Sequence, residues 1–492
     1  MALDRRAFLW SLASSGLVAC GGGGAALRSV PTRALDADAL GQAELIRTGE
    51  ITSAELVMET IARIETLDAP INAVTTRFFE RALAESKGSL PDGPFRGVPF
   101  LLKDLNDLAG TRNTMGSRMF AKQISKQSTL HTERTVEAGL VILGKTNTPE
   151  FGLVATTEPA LLGVCKNPWN LDYSAGGSSG GAAAAVAAGM MPMAQASDGG
   201  GSIRVPASCC GLFGLKPSRG RNPQRASNRP VDISVKHVVS RTVRDSAAFL
   251  AATERTDAKA PLPAAGFVTA PEKRRLRIGY HTKTAYGTDA DPQVAASVEE
   301  TAKLCASLGH EVSEAMPEYQ GEAFREHFLA LWMARPFALR REIEAQGGNP
   351  SELLEPVTLG MADFFAKLPE GSLEKAIAFL HGYGPAVNGF FDDYDLVLSP
   401  VLRTPPIPLG TQAGTLPFED VFDPMIEYVS YTPVWNAAGN PAMSVPLGMS
   451  ANGLPIGSQF AARLGEESTL LALAYQLEAA APWAGRLPGP RD

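Results

Sequence analysis

Two stretches concentrate residue types that do chemistry: GGSSGG at 176–181 and DGGGSIR at 198–204. From Gly176 to Gly201 the chain carries eight glycines and eight alanines, and Asp198 is the only charged side chain among them. So little side-chain volume does not fill a core; it lets backbone come close to something else. Four uses compete for such a region. A phosphate loop needs a lysine in G-x-x-x-x-G-K-[ST], which neither stretch has. A dinucleotide fingerprint needs G-x-G-x-x-G and an acidic residue about 20 positions on, and the spacing fails. A purely structural glycine crossing stays open. The fourth use is a hydrolase site. Gly199, Gly200 and Gly201 offer consecutive unobstructed N–H groups beside the Ser202 hydroxyl, which is what an oxyanion hole beside an attacking serine requires.

A serine nucleophile needs a base. The six histidines (His131, His237, His281, His310, His327 and His381) all lie outside glycine-rich or motif-like settings, and Ser202 has no G-x-S-x-G around it, so a Ser-His-Asp arrangement is disfavoured. A buried lysine can serve instead, because loss of hydration favours its neutral form. Lys103, closing the apolar run GVPFLLKDL (97–105), is the best candidate. The competing reading is a strand-end lysine that reaches out to solvent.

The elements that must position these residues read as alternating helix and strand. Residues 38–74 carry helical apolar spacing, with Thr52-Ser53 and Glu55 as a cap between two helices. Residues 97–105 predict a buried strand, 131–147 a helix, glycine stop and strand, and 182–198 a helix and strand. Residues 275–280, 292–308 and 310–315 give a β-α-β pattern; 393–400, 439–448 and 454–462 are further strands, and 466–483 is a closing helix. This order predicts an α/β fold: one domain over 40–485, with a mixed β-sheet core covered by helices on both faces.

With these pieces in place the chain resembles the amidase signature family. GGSSGGAAAAVAAGMMPMAQASDGGGSIRVPA matches its signature, and GVPFLLKDL, GKTNTPEFG, NPWN, CGLFGLKPSRG, SRTVRDSA and GNPAMSVPLG…GLPIGSQ match its other blocks in order. TTEP…NPWNL and GNPAMSVPLGMSANGLPIG are similar to hydrolases of the 6-aminohexanoate cyclic-dimer type within that family. The resemblance implies amide hydrolysis by a Ser–Ser–Lys triad without cofactor or metal. Lys103 is then the base, Ser178 the bridging serine after a cis Gly177–Ser178 bond, and Ser202 the nucleophile. Gly199, Gly200 and Gly201 form the oxyanion hole. Ser179, Asp198 and Arg204 stand in support, unless Asp198 serves only to pair with Arg204. One departure stands out: the family carries a bulkier residue where Gly199 follows Asp198. A third glycine is expected to loosen the hole or admit a bulkier acyl group. Residues 315–435 hold little motif, and Phe328, Trp332, Phe337, Tyr428 and Trp435 are candidates for an apolar acyl pocket, against a plain core role.

The remainder of the chain bounds the partners. Of 492 residues, 45% are hydrophobic and 20% charged, and the net charge of −7 gives no electrostatic case for nucleic acid. The expected partner is a small-molecule or oligomeric amide. At the N-terminus, Arg5-Arg6 precede a short apolar run ending at Leu17-Val18-Ala19-Cys20. This resembles a twin-arginine export signal with a lipobox over 1–20, followed by a flexible tether over 21–39. The expectation is an exported enzyme held to a membrane only by lipid on Cys20. Export permits disulfides among Cys165, Cys209, Cys210 and Cys305, though Cys209-Cys210 read better as small buried hydrophobes. Two other functions compete: a glutaminase subunit of a tRNA-charging amidotransferase, against which the leader argues, and a non-catalytic anchored binding protein, which has no need of Lys103, Ser178 and Ser202 together.

Overall fold

The structure is a computed structural model that describes residues 32–223 and 231–489. The expected export signal with Cys20, and the tether up to residue 31, lie outside the described residues. Among the described residues, regular structure starts at Thr32, upstream of the expected boundary at 40. A short helix covers Thr32–Asp36. Asp38 then caps the helix Ala39–Arg47 by accepting from the Gly41 N–H and pairs with Arg244. The last part of the expected tether is therefore docked on the domain. Thr52 and Glu55 form a reciprocal capping box at the start of Ser53–Leu67, as the sequence pattern requires.

Thirteen strands follow in the described residues. They are β1 (Val74–Arg77), β2 (Pro99–Lys103), β3 (Val141–Thr146), β4 (Lys166–Asn167), β5 (Asn170–Ser174), β6 (Met193–Asp198), β7 (Phe213–Lys216), β8 (Val235–Ser240), β9 (Arg277–Tyr280), β10 (Glu311–Glu314), β11 (Leu396–Pro400), β12 (Ala442–Met449) and β13 (Pro455–Ala462). Eight of them make one mixed sheet in the order β10-β9-β11-β13-β12-β7-β8-β6. Its β9–β10 and β9–β11 pairs are parallel and the rest antiparallel. A second sheet, β1-β3-β2, lies against the β6 edge.

Alternation along the strands divides the core, as a two-residue side-chain period demands. Leu396, Leu398, Met443, Val445, Phe460 and Ala462 pack with the helices Val243–Thr253, Pro292–Ser307 and Glu467–Ala480. Val397, Ala442 and Ala461 join the opposite cluster with helix residues Phe324, Tyr383 and Trp435. Helices thus cover both faces.

Four helices concern the site. α1 (Gly180–Ala187) is buried on every side and packs against β2, β3, β6 and β8. A Cβ on Gly181 would lie 2.3 Å from the Asn147 nitrogen, so the small residues of this stretch let a helix pass between the two sheets. α2 (Arg204–Cys210) follows Ser202 directly. α3 (Gly321–Ala345) and α4 (Phe418–Tyr428) come from the motif-poor region.

Candidate active site

Lys103 ends β2 and is completely buried. Its Nζ lies 2.7 Å from Ser178 Oγ and 3.2 Å from Ser197 Oγ. Burial pulls the ammonium down to about 7, with the Asp198 carboxylate opposing that shift. The competing reading, a lysine reaching to solvent, is thereby excluded. The Lys103 backbone N–H donates to Gln195 Oε1 at 3.1 Å, and Asn106 Nδ2 donates to the same oxygen at 2.7 Å. Gln195 and Ser197 were not singled out in the sequence. The available signal was their i, i+2 spacing as polar residues in a buried strand, which puts both on one face of β6.

Ser178 follows a cis Gly177–Ser178 peptide. A Cβ on Gly177 would stand 2.5 Å from the Thr156 carbonyl oxygen, so the close backbone approach requires glycine. Ser179 pins the neighbouring strand: its hydroxyl donates to the Ser197 carbonyl and accepts from the Ser197 N–H, both at 3.3 Å.

Asp198 and Arg204 are both wholly buried and paired at 2.9 Å. Burial pushes Asp198 up, but Arg204, Lys216 and Asn436 hold it down at about 2. The two readings left open for Asp198 prove compatible. Besides Arg204, it accepts from the Gly201 N–H at 2.7 Å and the Ile203 N–H at 3.2 Å, so it shapes the turn that carries Ser202. Arg204 continues outward to the Thr432 carbonyl, Gln459 Oε1 and Asn436 Oδ1 at 3.0, 2.7 and 2.7 Å. The oxyanion expectation is corrected at one position: the Gly201 amide is engaged by Asp198. Gly201 has φ +135°, and a Cβ there would lie 2.3 Å from Thr432 Oγ1, so its glycine serves the turn.

Ser202 lines a cleft that opens to solvent. Its floor is Gly200–Ser202, with Gly177 and Gly152–Ala155 behind. α3 supplies Phe328, Leu329 and Trp332 to one wall, and α4 supplies Phe422, Met425 and Ile426 to the other. Three of the five aromatic candidates therefore fall elsewhere. Phe337 packs on Phe365, Tyr428 turns its hydroxyl to Cys209, and Trp435 packs on Tyr319 and Phe391. The α4 wall was not read from the sequence, although its aliphatic residues recur at helical spacing. Beside Gly199, the Trp332 ring stands 3.4 Å from where a Cβ would be, an ordinary van der Waals contact.

Among the described residues, the cleft lining contains no histidine. His131, His237 and His281 are buried against Gln195, Ser246 and Tyr319 respectively. Burial lowers all three, His237 to about 3 and His281 to about 4. Cys165, Cys209, Cys210 and Cys305 are buried free thiols; burial pushes Cys209 and Cys305 up to about 12, the behaviour of packing residues.

The Amidase family profile matches residues 55–471. The chain is 39% identical over 454 residues to AmiC of Mycobacterium tuberculosis, named as an amidase, covering 91% of this chain and 95% of that one. It is 37% identical over 481 residues to the 6-aminohexanoate-cyclic-dimer hydrolase of Pseudomonas sp. strain NK87, covering 92% and 96%. Among solved structures, a 6-aminohexanoate cyclic dimer hydrolase complexed with substrate superposes with a TM-score of 0.86 at 34% identity, covering 92% of this chain and 99% of that one. The chain belongs to the amidase signature family and is an amide-hydrolysing enzyme, which sets aside the binding-protein reading.

Proposed function

We propose that amide cleavage runs through an acyl-enzyme on Ser202, with Ser178 and Lys103 completing a Ser–Ser–Lys triad. The observation that carries this is the buried Lys103 Nζ at 2.7 Å from Ser178 Oγ, beneath a cleft that Ser202 lines. Neutral Lys103 accepts the Ser178 proton, and Ser178 accepts the Ser202 proton as Ser202 attacks the carbonyl carbon. The oxyanion is received by backbone N–H groups of the 199–202 turn other than Gly201, whose amide Asp198 holds. The proton returns through Ser178 to the departing amine, and water then cleaves the ester on Ser202. The test is covalent. A fluorophosphonate should label the native protein on Ser202, and Ser202→Ala should fold, escape labelling and lose amide hydrolysis. Label mapped by peptide mass to Ser178 or Ser179 would reassign the nucleophile.

The substrate is proposed to be a small or oligomeric amide with an apolar acyl part, supported by the Phe, Leu, Met and Ile walls of the cleft. The leader supports a second proposal, export and lipid attachment at Cys20. Intact mass of the mature protein tests it. A chain beginning at a lipidated Cys20 is expected; one beginning at Met1 without lipid would return the amidotransferase alternative.

A further inference from the structure

We infer that Trp332 is the specificity-determining residue of the cleft, admitting unbranched apolar acyl chains and excluding acyl groups branched beside the carbonyl, peptides among them. The inference rests on Ser202 being the nucleophile.

The starting point is the glycine run. Cβ atoms built on Gly199 and Gly200 would meet the six-membered ring of Trp332 at 3.4–3.7 Å. The indole therefore lies over bare backbone just ahead of Ser202, at a distance where even a Cβ would be in ordinary van der Waals contact with it. Gly200, Ser202 and this ring line the same cleft, so under this proposal the carbon next to the reacting carbonyl lies against the ring.

The plane is also held in place. Phe324, Phe328 and Trp332 recur every four residues on α3, so they stack along one face. Trp332 stacks on Phe328 with centroids 5.7 Å apart, Phe328 on Phe324 at 5.3 Å, and Phe324 on Tyr383 at 5.1 Å. Tyr383 in turn donates its hydroxyl to the Tyr319 carbonyl at 3.0 Å. An indole at the end of such a column does not swing aside for a substituent. A methylene slides past its face; a substituent on the same carbon runs into it.

Polarity points the same way. Apart from Ser202, the lining side chains that carry polar atoms are Tyr286, Arg325 and Trp332 with its single indole N–H, and Arg325 is already paired with Asp423 at 2.6 Å. A peptide bond next to the reacting carbonyl would bury its N–H and C=O with few partners, which weakens binding. A plain alkyl chain loses nothing there.

The test uses p-nitroanilides with a common leaving group: heptanoyl, its isomer 2-methylhexanoyl, and N-acetyl-leucyl. For the wild-type enzyme, kcat/KM for heptanoyl should exceed that for the other two by at least about tenfold, the scale on which one misplaced methyl is discriminated. Trp332→Ala should cut the heptanoyl to 2-methylhexanoyl ratio by about tenfold, chiefly by raising the branched substrate. Trp332→Phe, which keeps an aromatic ring in the stack, should give an intermediate ratio and covers the case in which the alanine variant fails to fold. Fluorophosphonate labelling of each variant shows that its nucleophile is intact. An unchanged ratio in labelled Trp332 variants, or a wild-type enzyme indifferent to branching, overturns the inference while leaving the amidase mechanism standing. A wild-type protein that cleaves none of the anilides and takes no label overturns the Ser202 mechanism and the inference with it.

Discussion

Lys103 and Lys145 stand near the ends of adjacent parallel strands, where Lys103 pairs with Thr146 and Leu102 with Lys145. Both are buried, and burial draws the first to about 7 and the second to about 8. Lys216, at the end of β7, is a third case, lowered to about 7 by burial and by Arg204. What separates them is the atom each one meets. Lys103 meets the hydroxyls of Ser178 and Ser197. Lys145 donates to the Asn106 carbonyl and Asn113 Oδ1, and Lys216 to the Pro217 carbonyl. A carbonyl oxygen has no proton to give, whereas a serine hydroxyl has one. Burial thus makes a neutral amine accessible near pH 7 in all three places, and under the proposed mechanism the partner decides whether that amine acts as a base or as a structural donor.

The most direct way to break this comparison is to remove each amine in turn. Lys103→Ala should lower amide hydrolysis by about 10²–10⁴-fold, the range for loss of a general base. Lys145→Met and Lys216→Met should leave the folded fraction with most of its activity, because the carbonyl acceptors they abandon take no part in proton transfer. Steady-state rates corrected for folded protein decide it; a Lys145 variant as inactive as the Lys103 variant would end the distinction.

Next in size is the response to Asp198→Asn. It leaves the Arg204 charge buried with only neutral partners, so unfolding by urea should show a loss of about 3–5 kcal/mol. The Asp198 carboxylate also favours the charged form of Lys103. In whatever fraction stays folded, the acid limb of the rate profile should therefore move to lower pH.

The pH profile of the wild type sharpens the point. Only neutral Lys103 can take a proton, so kcat/KM should rise as pH passes upward through about 7 and then level off. An acid limb far from that value would remove Lys103 from the role.

The smallest effect concerns stability. An unfolded lysine keeps its proton up to about 10.5, and folded Lys103 only up to about 7. Between those values the unfolded state binds more protons, so this group adds stability as pH rises and withholds it as pH falls. Lys103→Met should raise Tm by a few degrees at pH 7, at the scale of about 2–4 °C per kcal/mol, and by less at pH 9. Scanning calorimetry at the two values reads the difference.

The same three lysines show how far the sequence can be read. LLKD, ILGKT and GLKP share one local signature, an apolar run closing on lysine, and nothing in that signature tells a base from a structural donor. The buried strand end made Lys103 a candidate base, and the family resemblance gave it that role in a triad. The strand and helix order was legible because its apolar periods are strong and its glycine and cap residues punctuate it, as at Thr52 and Glu55. The cleft walls were not, because Phe328 and Phe337 are equally aromatic in the sequence. They differ only in which way α3 turns them, toward Gly200 in one case and Phe365 in the other. Gly201 shows a similar limit: composition presents it as a free amide, and only the turn geometry hands that amide to Asp198.

Arg204 has a consequence for how the enzyme is made. Its partners beyond Asp198 are Thr432, Asn436 and Gln459, all far along the chain from the serine turn they steady. A ribosome releasing this protein in order delivers Ser178, Ser202 and the Asp198 counter-charge early, but the guanidinium cannot be buried with all its hydrogen bonds made until β13 has been added. The catalytic turn is therefore expected to take shape close to the end of synthesis. A product cut short ahead of Gln459 would be inert rather than merely slow, and the cell would carry no half-built hydrolase while the rest of the chain is still being translated.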